Sequence, residues 1–462
     1  MPTPPWRIHS VFKRAEEGPV TLEHDFDTKF LIPNVKRVVK DYGIKYDPQN
    51  PVPTDESLAK DAWRAAVDLL LSTGVFCTTT SRRITFTEDE IKEALWNYID
   101  KLQIGAGRDM KEWQPRRIED SRRPGCFFTP VGVRCSEENF THLIMAYAQE
   151  PLADGISSPI IDKIEGALVK TYSPFEQEGA VFHAMAAREA AVRVGRPGLS
   201  AVLTGTGLSA ASQIASSNPV WGARPSDLRL VSVISELKID YDLLNKALHF
   251  QEYGGIPGCL SGPLVGAYGG VESTTIIGIA SHLQGLLVNG GFYTCYFPTH
   301  IRNFANTSRE LLWLISVTYQ ALSSNTRLIT CSNGFAAAGP CTDMVLYEAG
   351  LHGAVSAVSG ASVLWEIAAA SNKHFERTTA MEARMACETG LAAVSTGMRR
   401  SDVNELVKKV IPKYESKLFD APLGKTFPEC YDVKSTTPTA EYVELFKKIK
   451  AEFRDLGLEY NY

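Results

Sequence analysis

The sequence predicts an α/β fold in which about eight strand–helix units follow one another. From about residue 123 onward, short apolar runs alternate with polar loops and with longer stretches of helical apolar spacing. The hydrophobic content of 44% is enough for a large buried core. The repeated units extend over roughly 260 residues, close to the ~250 residues of a (β/α)8 barrel. An open doubly wound sheet alternates in the same way, so this pattern alone leaves both architectures open.

Eight segments are the predicted strands of this sheet. Seven of them are 126–130, 155–158, 200–203, 228–234, 264–267, 292–297 and 327–331. The eighth is placed at 362–367, where the pattern is weakest. Helices are predicted between strands at 175–192, 242–251, 274–288, 309–323 and 343–358. Ser173 and Thr307 begin two sequences that are typical of helix starts, the first with proline at the next position.

Helical additions are predicted on both sides of the barrel. The division places an N-terminal extension at 1–122, the barrel at 123–385 and C-terminal helices at 386–462. Predicted helices within the two additions are 57–71, 403–414 and 440–456. Thr87 and Glu90 have the spacing of a capping box, which predicts that another helix begins there.

Composition excludes several classes of protein. The chain has 48 basic and 53 acidic side chains, and its formal net charge of −5 argues against a nucleic-acid binder. Its nine cysteines are scattered without the C-x-x-C spacing of a zinc or redox site, so we expect free thiols and no metal. The N-terminus lacks a signal-peptide pattern and the long apolar stretches are interrupted, so no membrane span is expected. These features predict a cytoplasmic protein.

In a barrel enzyme, the chemistry lies at the carboxyl ends of the strands and in the loops that follow. Predicted strand four leads into Glu236, and predicted strand five leads into Tyr268 and Glu272. The other candidates near strand ends are Val202, His300, Arg302, Asn333 and Phe335. Two acids held close raise the pKa of one of them, and such a pair can bind a cation or protonate a departing amine. The structural alternatives are an ion pair of an acid with Arg302 and a buried, backbone-bonded His300.

One glycine motif indicates a different chemistry. Gly205, Gly207 and Ala210 match the G-x-G-x-x-A pattern that binds a dinucleotide after a strand. The motif follows the third unit, whereas this fingerprint begins the first, and no second strand ending in an acid follows about 20 residues later. We therefore expect neither a nicotinamide nor a flavin.

Longer motifs are similar to those of one enzyme family. They are ELKID at 236–240, HIR at 300–302, AGPCT at 338–342, TAMEARM at 379–385 and GKTFPECYDVKSTTPTAEY at 424–442. In this order they resemble the monomethylamine:corrinoid methyltransferase family, and the resemblance covers nearly the whole chain. It implies a (β/α)8 barrel, which decides between the two architectures left open above. It also implies a homo-oligomer, since members of the family form hexamers.

The resemblance implies an altered active site as well. Family members carry pyrrolysine in the segment after GRPG, where this chain has Val202. Glu236 and Glu272 match carboxylates that lie beside the pyrrolysine ring and help to activate the amine. A glutamine and a tyrosine of that pocket correspond to Asn333 and Phe335. Three changes at one site are consistent with a pocket adapted to another substrate.

The activity implied by the resemblance is methyl transfer from an amine to Co(I) of a separate, cognate corrinoid protein, with no cofactor bound tightly to this chain. Pyrrolysine is proposed to capture the amine and orient its methyl group. Without it, we expect a methylated donor that already has a good leaving group, such as a quaternary ammonium or a sulfonium.

In this interpretation, the rings of Tyr268 and Phe335 contact the cation. Glu236 and Glu272 supply negative charge, and Arg302 binds a carboxylate of the substrate. His300 is a further candidate ligand to the substrate. Two alternatives stay open: a monomethylamine methyltransferase that acts without pyrrolysine, and a non-catalytic relative that binds a corrinoid protein or a methylated ligand.

Overall fold

A computed structural model describes residues 8–130, 132–203, 209–252 and 255–461. Its centre is one sheet of eight parallel strands, β1 to β8 in chain order. Their bounds are Gly125–Phe128, Gly155–Ile156, Ser200–Ala201, Leu228–Ser232, Ile256–Ser261, Thr294–Tyr296, Thr330–Phe335 and Val363–Ala368. All neighbours in chain order except β3 and β4 pair along their lengths, and β8 pairs with β1. A parallel bridge between Val202 and Leu228 joins β3 to β4, so the sheet closes into the predicted (β/α)8 barrel.

A helix follows each strand, and these helices, α1 to α8, cover the outside of the barrel. Their bounds are Glu137–Ala148, Pro174–Arg193, Ala210–Ser216, Tyr241–Glu252, Val271–Leu287, Arg309–Asn325, Asp343–Ser359 and Ala380–Ser395. The cap of α6 is Ser308, one residue after the predicted Thr307, and its hydroxyl accepts the N–H of Leu311. Ser173 precedes α2 as predicted, but its hydroxyl donates to the carbonyl of Lys170 instead of capping the helix. The five predicted helices are confirmed.

The fifth strand differs from its prediction. We expected it at 264–267, whereas β5 begins eight residues earlier, in a run that contains a proline and a glycine and therefore looks unlike a strand. The glycine, Gly258, has a packing role, because a Cβ there would lie 2.2 Å from the Tyr293 ring. The predicted segment instead forms Leu264–Val265, which pairs with Thr299–His300 beyond the edge of the barrel.

The seventh strand is shifted as well. It was predicted at 327–331, and β7 runs to Phe335, so Asn333 and Phe335 lie within the strand and not in the loop after it. The pairing of β7 with β8 is irregular between Ser332 and Gly334. Such a bulge turns the side chains at the end of a strand to new directions.

The additions on either side of the barrel are mainly helical. Their long helices are Ile8–Glu17, Ile32–Asp41, Glu56–Thr73, Glu88–Trp96, Arg400–Val410 and Ala440–Asp455. Both bonds of the predicted capping box between Thr87 and Glu90 are present. The predicted division at residue 385 falls inside α8. Throughout the described ranges, no helix combines the length and the apolar character needed to cross a membrane.

An apolar cluster fills the inside of the barrel. Its members are Leu102, Ile104, Trp113, Phe127, Val202, Leu228, Leu230, Ile256, Phe292, Tyr293, Cys295, Ile329, Cys331, Val363 and Trp365. We call these residues the interior cluster. Phe127 stacks on Trp365 with ring centroids 3.9 Å apart, and Trp113 meets both rings edge-on. The barrel is thus packed through its centre, as is typical of this fold.

Candidate functional site

Val202 stands at the end of β3 and is fully buried in the interior cluster. Its N–H donates to the carbonyl of Ile156 at 2.8 Å. Its own carbonyl accepts from the Ser157 hydroxyl at 3.4 Å and lies 3.3 Å from Nε2 of His183. Burial lowers the pKa of His183 to about 4, so this ring is neutral and donates through Nε2–H. The position is therefore fixed by its backbone, and its side chain offers only apolar contact. Residues 204–208, which carry most of the glycine motif, lie outside the described residues.

Asn333 and Phe335 lie together at the end of β7. Asn333 is buried, and its side-chain oxygen has no hydrogen-bond partner among the described residues. Phe335 is half-buried and stacks on Phe297 with ring centroids 5.3 Å apart. A buried acceptor without a donor is unfavourable, and a ligand that carries an N–H or an O–H can satisfy it. This end of the strand thus combines an aromatic pair with one open acceptor.

Asn306, which sequence analysis did not single out, holds that strand end in place. It is buried in the loop after β6, its Nδ2 donates to the Asn333 carbonyl at 2.9 Å, and its Oδ1 accepts from the Phe335 N–H at 2.7 Å. The Asn306 amide thus fixes the backbone of both candidate residues, since its nitrogen donates to Asn333 and its oxygen accepts from Phe335.

Asn306→Asp is expected to lower the free energy of unfolding by about 1–3 kcal/mol, because the Asn333 carbonyl loses its donor and faces a second oxygen. Urea denaturation measures this loss. The half-buried Asn303, which makes a similar pair of bonds to Leu418 and Ala305, is the control, and Asn303→Asp is expected to cost less. An equal loss in the two variants would contradict the special role of Asn306.

Glu236 follows β4 and is only 2% exposed. Its Oε1 accepts from the Leu264 N–H at 3.1 Å, and its Oε2 has no hydrogen-bond partner among the described residues. Burial raises the pKa of Glu236 to about 7, against the opposing effects of the Leu264 N–H and the Lys238 charge. Near neutral pH this carboxyl group therefore exists in both protonation states, as a general acid or base requires.

Tyr296 is a neighbour of Glu236. Burial raises the pKa of Tyr296, and the nearby Glu236 charge adds to the effect. The Tyr296 hydroxyl points toward α5, because a Cβ at Gly278 of that helix would lie 1.9 Å from it. Glu236 thus lies near Tyr296 of β6, whose hydroxyl faces α5, whereas Val202 packs within the interior cluster.

Glu272 and Tyr268 lie at the start of α5. Glu272 is half-buried, and its Oε1 accepts from the backbone N–H of Tyr46 in the N-terminal addition at 3.1 Å. Tyr268 accepts from Nζ of Lys238 at 3.5 Å, and that ammonium lies 5.9 Å from the center of the Tyr268 ring. Lys238 also pairs with Glu23 at 2.8 Å and with Asp27 at 3.0 Å. The described contacts thus join the two candidate acids to different partners and not to each other.

His300 and Arg302 lie on the outer edge of the barrel opening. The backbone N–H of Arg302 donates to Nδ1 of His300 at 3.2 Å. Both side chains contact Phe419 of the C-terminal addition: the His300 ring meets it edge-on at 5.5 Å, and the Arg302 guanidinium lies 4.5 Å from its centroid. Arg302 is exposed and belongs to none of the ion pairs between described residues. The alternative of an ion pair with Glu236 or Glu272 is therefore not seen in the described structure.

Three further residues complete this region. Phe297 was placed at the end of a predicted strand and Lys238 in the ELKID motif, so both had a signal in the sequence. No signal in the sequence pointed to Phe419, because only folding brings the C-terminal addition to the barrel opening. Within the part of the chain that the structure describes, no three His, Cys, Asp or Glu side chains are arranged to hold a metal ion.

The fold and the site define a (β/α)8-barrel protein with an apolar side chain at the end of β3, an aromatic pair and an open amide acceptor at the end of β7, and a buried acid after β4. The family model described as monomethylamine methyltransferase MtmB matches residues 6–458. The chain is 33% identical over 451 residues to monomethylamine methyltransferase MtmB of Methanosarcina mazei, covering 97% of this chain and 98% of the relative.

Solved structures agree with this match. The crystal structure of the Methanosarcina barkeri monomethylamine methyltransferase MtmB superposes with a TM-score of 0.94 at 31% identity, over 98% of each chain. A structure of the hydroxylamine MtmB complex gives the same values. The chain belongs to the monomethylamine methyltransferase MtmB family, and it is an enzyme of the methylamine methyltransferase kind.

Proposed function

We propose that this enzyme transfers a methyl group from a donor with an intrinsically good leaving group, a quaternary ammonium or a sulfonium, to Co(I) of a cognate corrinoid protein. The observation that carries the proposal is the full burial of Val202 in the interior cluster. A valine side chain forms no covalent bond to an amine, so the residue at this position cannot convert methylamine into a better donor. In this proposal the leaving group is already present in the substrate.

The reaction is a nucleophilic displacement at carbon. The electron pair of Co(I) forms the new bond to the methyl carbon, and the bond from that carbon to nitrogen or sulfur breaks. The departing atom keeps the electron pair of the broken bond and leaves as a neutral tertiary amine or thioether. No proton is needed for this departure. The chain's own residues therefore have to bind, orient and desolvate the cation.

The aromatic pair of Phe335 and Phe297 is the first candidate for binding the cation, at about 1–2 kcal/mol for a desolvated contact. Tyr268 is a further candidate ring, and a substrate cation there would lie near the ammonium of Lys238. Glu236 is assigned the balancing negative charge, because a cation nearby favours the ionised form of an acid whose pKa is raised to about 7. Glu272, His300 and Arg302 remain predicted contacts at the start of α5 and on the outer edge.

A second candidate is monomethylamine itself, without pyrrolysine. Two observations favour it: the buried side-chain oxygen of Asn333 without a described donor, which suits a substrate N–H, and the raised pKa of Glu236, which suits protonation of a departing amine. A quaternary ammonium has no N–H for Asn333, so the two candidates make opposite demands on this side chain.

Anaerobic visible spectroscopy of the enzyme with a Co(I) corrinoid protein decides between them. The donors are mono-, di- and trimethylamine, glycine betaine, choline, tetramethylammonium and a sulfonium, with a reaction lacking enzyme as the control. We expect loss of the Co(I) band with a quaternary or sulfonium donor only. Turnover of monomethylamine would establish the second candidate. If no donor causes loss of the Co(I) band although the corrinoid protein is shown to be active, both candidate functions are contradicted and a binding role is favoured.

Four predictions accompany this proposal. The protein forms a homo-oligomer, with a hexamer expected from the family resemblance, and it works in the cytoplasm. It has no tightly bound cofactor and uses the corrinoid of its partner as a substrate. The division of the chain at residues 122 and 385 also stays a prediction.

A further inference from the structure

Three segments meet at one side of the barrel opening. They are residues 300–304 after β6, residues 373–377 after β8 and residues 417–423 of the C-terminal addition, and we call them the mouth rim. Nδ2 of Asn303 donates to the Leu418 carbonyl at 3.1 Å, and Arg377 donates to the Leu423 carbonyl at 3.2 Å. The ammonium of Lys373 lies 4.0 Å from the centroid of Phe304. These contacts make the rim one continuous surface.

The rim exposes apolar side chains to an unusual degree. Five of the large exposed apolar residues of the described chain belong to it: Ile301, Phe304, Phe375, Phe419 and Leu423. Phe419, at 59% exposure, is the most open of them. A group of exposed aromatic and aliphatic side chains around an opening is typical of a surface that another protein covers.

The charge of the rim is opposite to that of the whole chain. Arg302, Lys373, Arg377 and Lys417 lie on it, and none of them belongs to an ion pair between described residues. Asp420 is its exposed carboxylate, while Glu376 is buried and accepts from the Ser136 N–H and the Asn139 amide. A surface with four unpaired cations on a chain of net charge −5 attracts acidic partners.

Aromatic rings hold two of these cations in position. Arg302 lies over Phe419 and Lys373 over Phe304, so each charge is oriented by a ring without being neutralised. If each cation formed an ion pair with a neighbouring carboxylate, its charge would be neutralised and could not attract a partner protein. The arrangement presents fixed positive charge beside exposed apolar surface, which is the composition of a protein-docking site.

We infer that the mouth rim is the docking surface for the corrinoid protein, and that the partner contacts it through an acidic patch. The inference rests on the proposed function, since only a methyl acceptor carried on another protein must approach the barrel opening. It adds to that function by naming the surface and the charge of the partner.

The test measures binding of a cobalamin-loaded corrinoid protein from the same organism to the full-length enzyme by calorimetry, with no methyl donor present. In the double variant Lys373→Glu/Lys417→Glu, we expect Kd at 50 mM salt to rise at least tenfold. The effect should shrink at 500 mM salt, because screening weakens the charges in the wild type as well. Phe419→Ser is expected to weaken binding at both salt concentrations, since its contribution is apolar.

Lys60→Glu is the matched control. Lys60 is exposed, belongs to no ion pair of the described residues, and lines a groove beside Asn325 at the end of α6, away from the rim. Its Kd should stay within twofold of the wild type. Circular dichroism and the mass in solution verify that each variant keeps its fold and its assembly.

An unchanged Kd in the double variant would overturn the inference, and so would a wild type that binds no corrinoid protein. A change of oligomeric state in the double variant would instead make the rim an interface between copies of this chain. This binding experiment can succeed or fail independently of the spectroscopic experiment with methyl donors. If binding depends on Lys373 and Lys417 while every donor stays silent, the docking surface stands and the proposed chemistry falls.

Discussion

Glu236→Gln is expected to stabilise the protein at pH 8.5 by about 3 kcal/mol and to leave its stability nearly unchanged at pH 4. Burial raises the pKa of Glu236 from its usual 4.5 to about 7 in the folded chain. Between these two values the folded state binds a proton that the unfolded state has lost. The stability that Glu236 contributes is therefore fully present below pH 4.5 and is lost as the pH rises to about 7.

The glutamine suits this position. Its carbonyl can accept from the Leu264 N–H, as Oε1 of Glu236 does, and its amide stays neutral at every pH, so no charge has to be buried. Glu150, Glu348 and Glu382 also have pKa values raised to about 7 by burial, so the wild type should lose stability over the same range through all four acids. In Glu236→Gln, only the part of this pH-dependent loss of stability that is due to Glu236 disappears.

Denaturant unfolding at pH 4, 5.5, 7 and 8.5 measures this effect, with the exposed Glu93→Gln as control. Equal pH profiles for Glu236→Gln and the wild type would show that the carboxyl group is not desolvated as the structure indicates. The same variant tests the proposed chemistry, in which we expect methyl transfer to fall at least tenfold. A variant that is more stable and equally active would remove Glu236 from the mechanism.

Trp365→Ala is expected to lower the free energy of unfolding by about 3–5 kcal/mol, because it leaves a large cavity in the interior cluster. The indole is 1% exposed and stacks on Phe127 at 3.9 Å, with Tyr293 at 6.0 Å and Trp113 at 6.2 Å. Urea or guanidinium denaturation, followed by far-ultraviolet circular dichroism, measures the loss.

Trp96→Ala is the control for this prediction. Trp96 is 80% exposed at the end of an N-terminal helix, so its removal should change stability by no more than about 0.5 kcal/mol. A loss below about 1 kcal/mol in Trp365→Ala would mean that the barrel collapses around the missing ring and that its interior is not rigidly packed.

Local patterns predicted most of the barrel. Strand–helix alternation depends on residues close in the chain, and the capping box of Thr87 and Glu90 acts within one helical turn, so both can be predicted from the sequence. The prediction of β5 was wrong because its proline and glycine are turn signals on their own. The glycine is required there because the ring of Tyr293, thirty-five residues downstream of Gly258, occupies the space that a side chain would fill.

The candidate site also has features that the sequence determined and features that only the tertiary structure decided. The sequence by itself determined the identity of its side chains: a valine after β3, an acid after β4, and an amide and a phenylalanine in β7. It also determined the family, since the chain is 33% identical over 451 residues to a monomethylamine methyltransferase MtmB. Only the tertiary structure decided that Glu236 is buried and accepts from the Leu264 N–H, that Lys238 reaches Tyr268, and that Phe419 lies beside Arg302. Such contacts join segments far apart in the chain, and their directions are set by how the helices and additions pack, which no local pattern records.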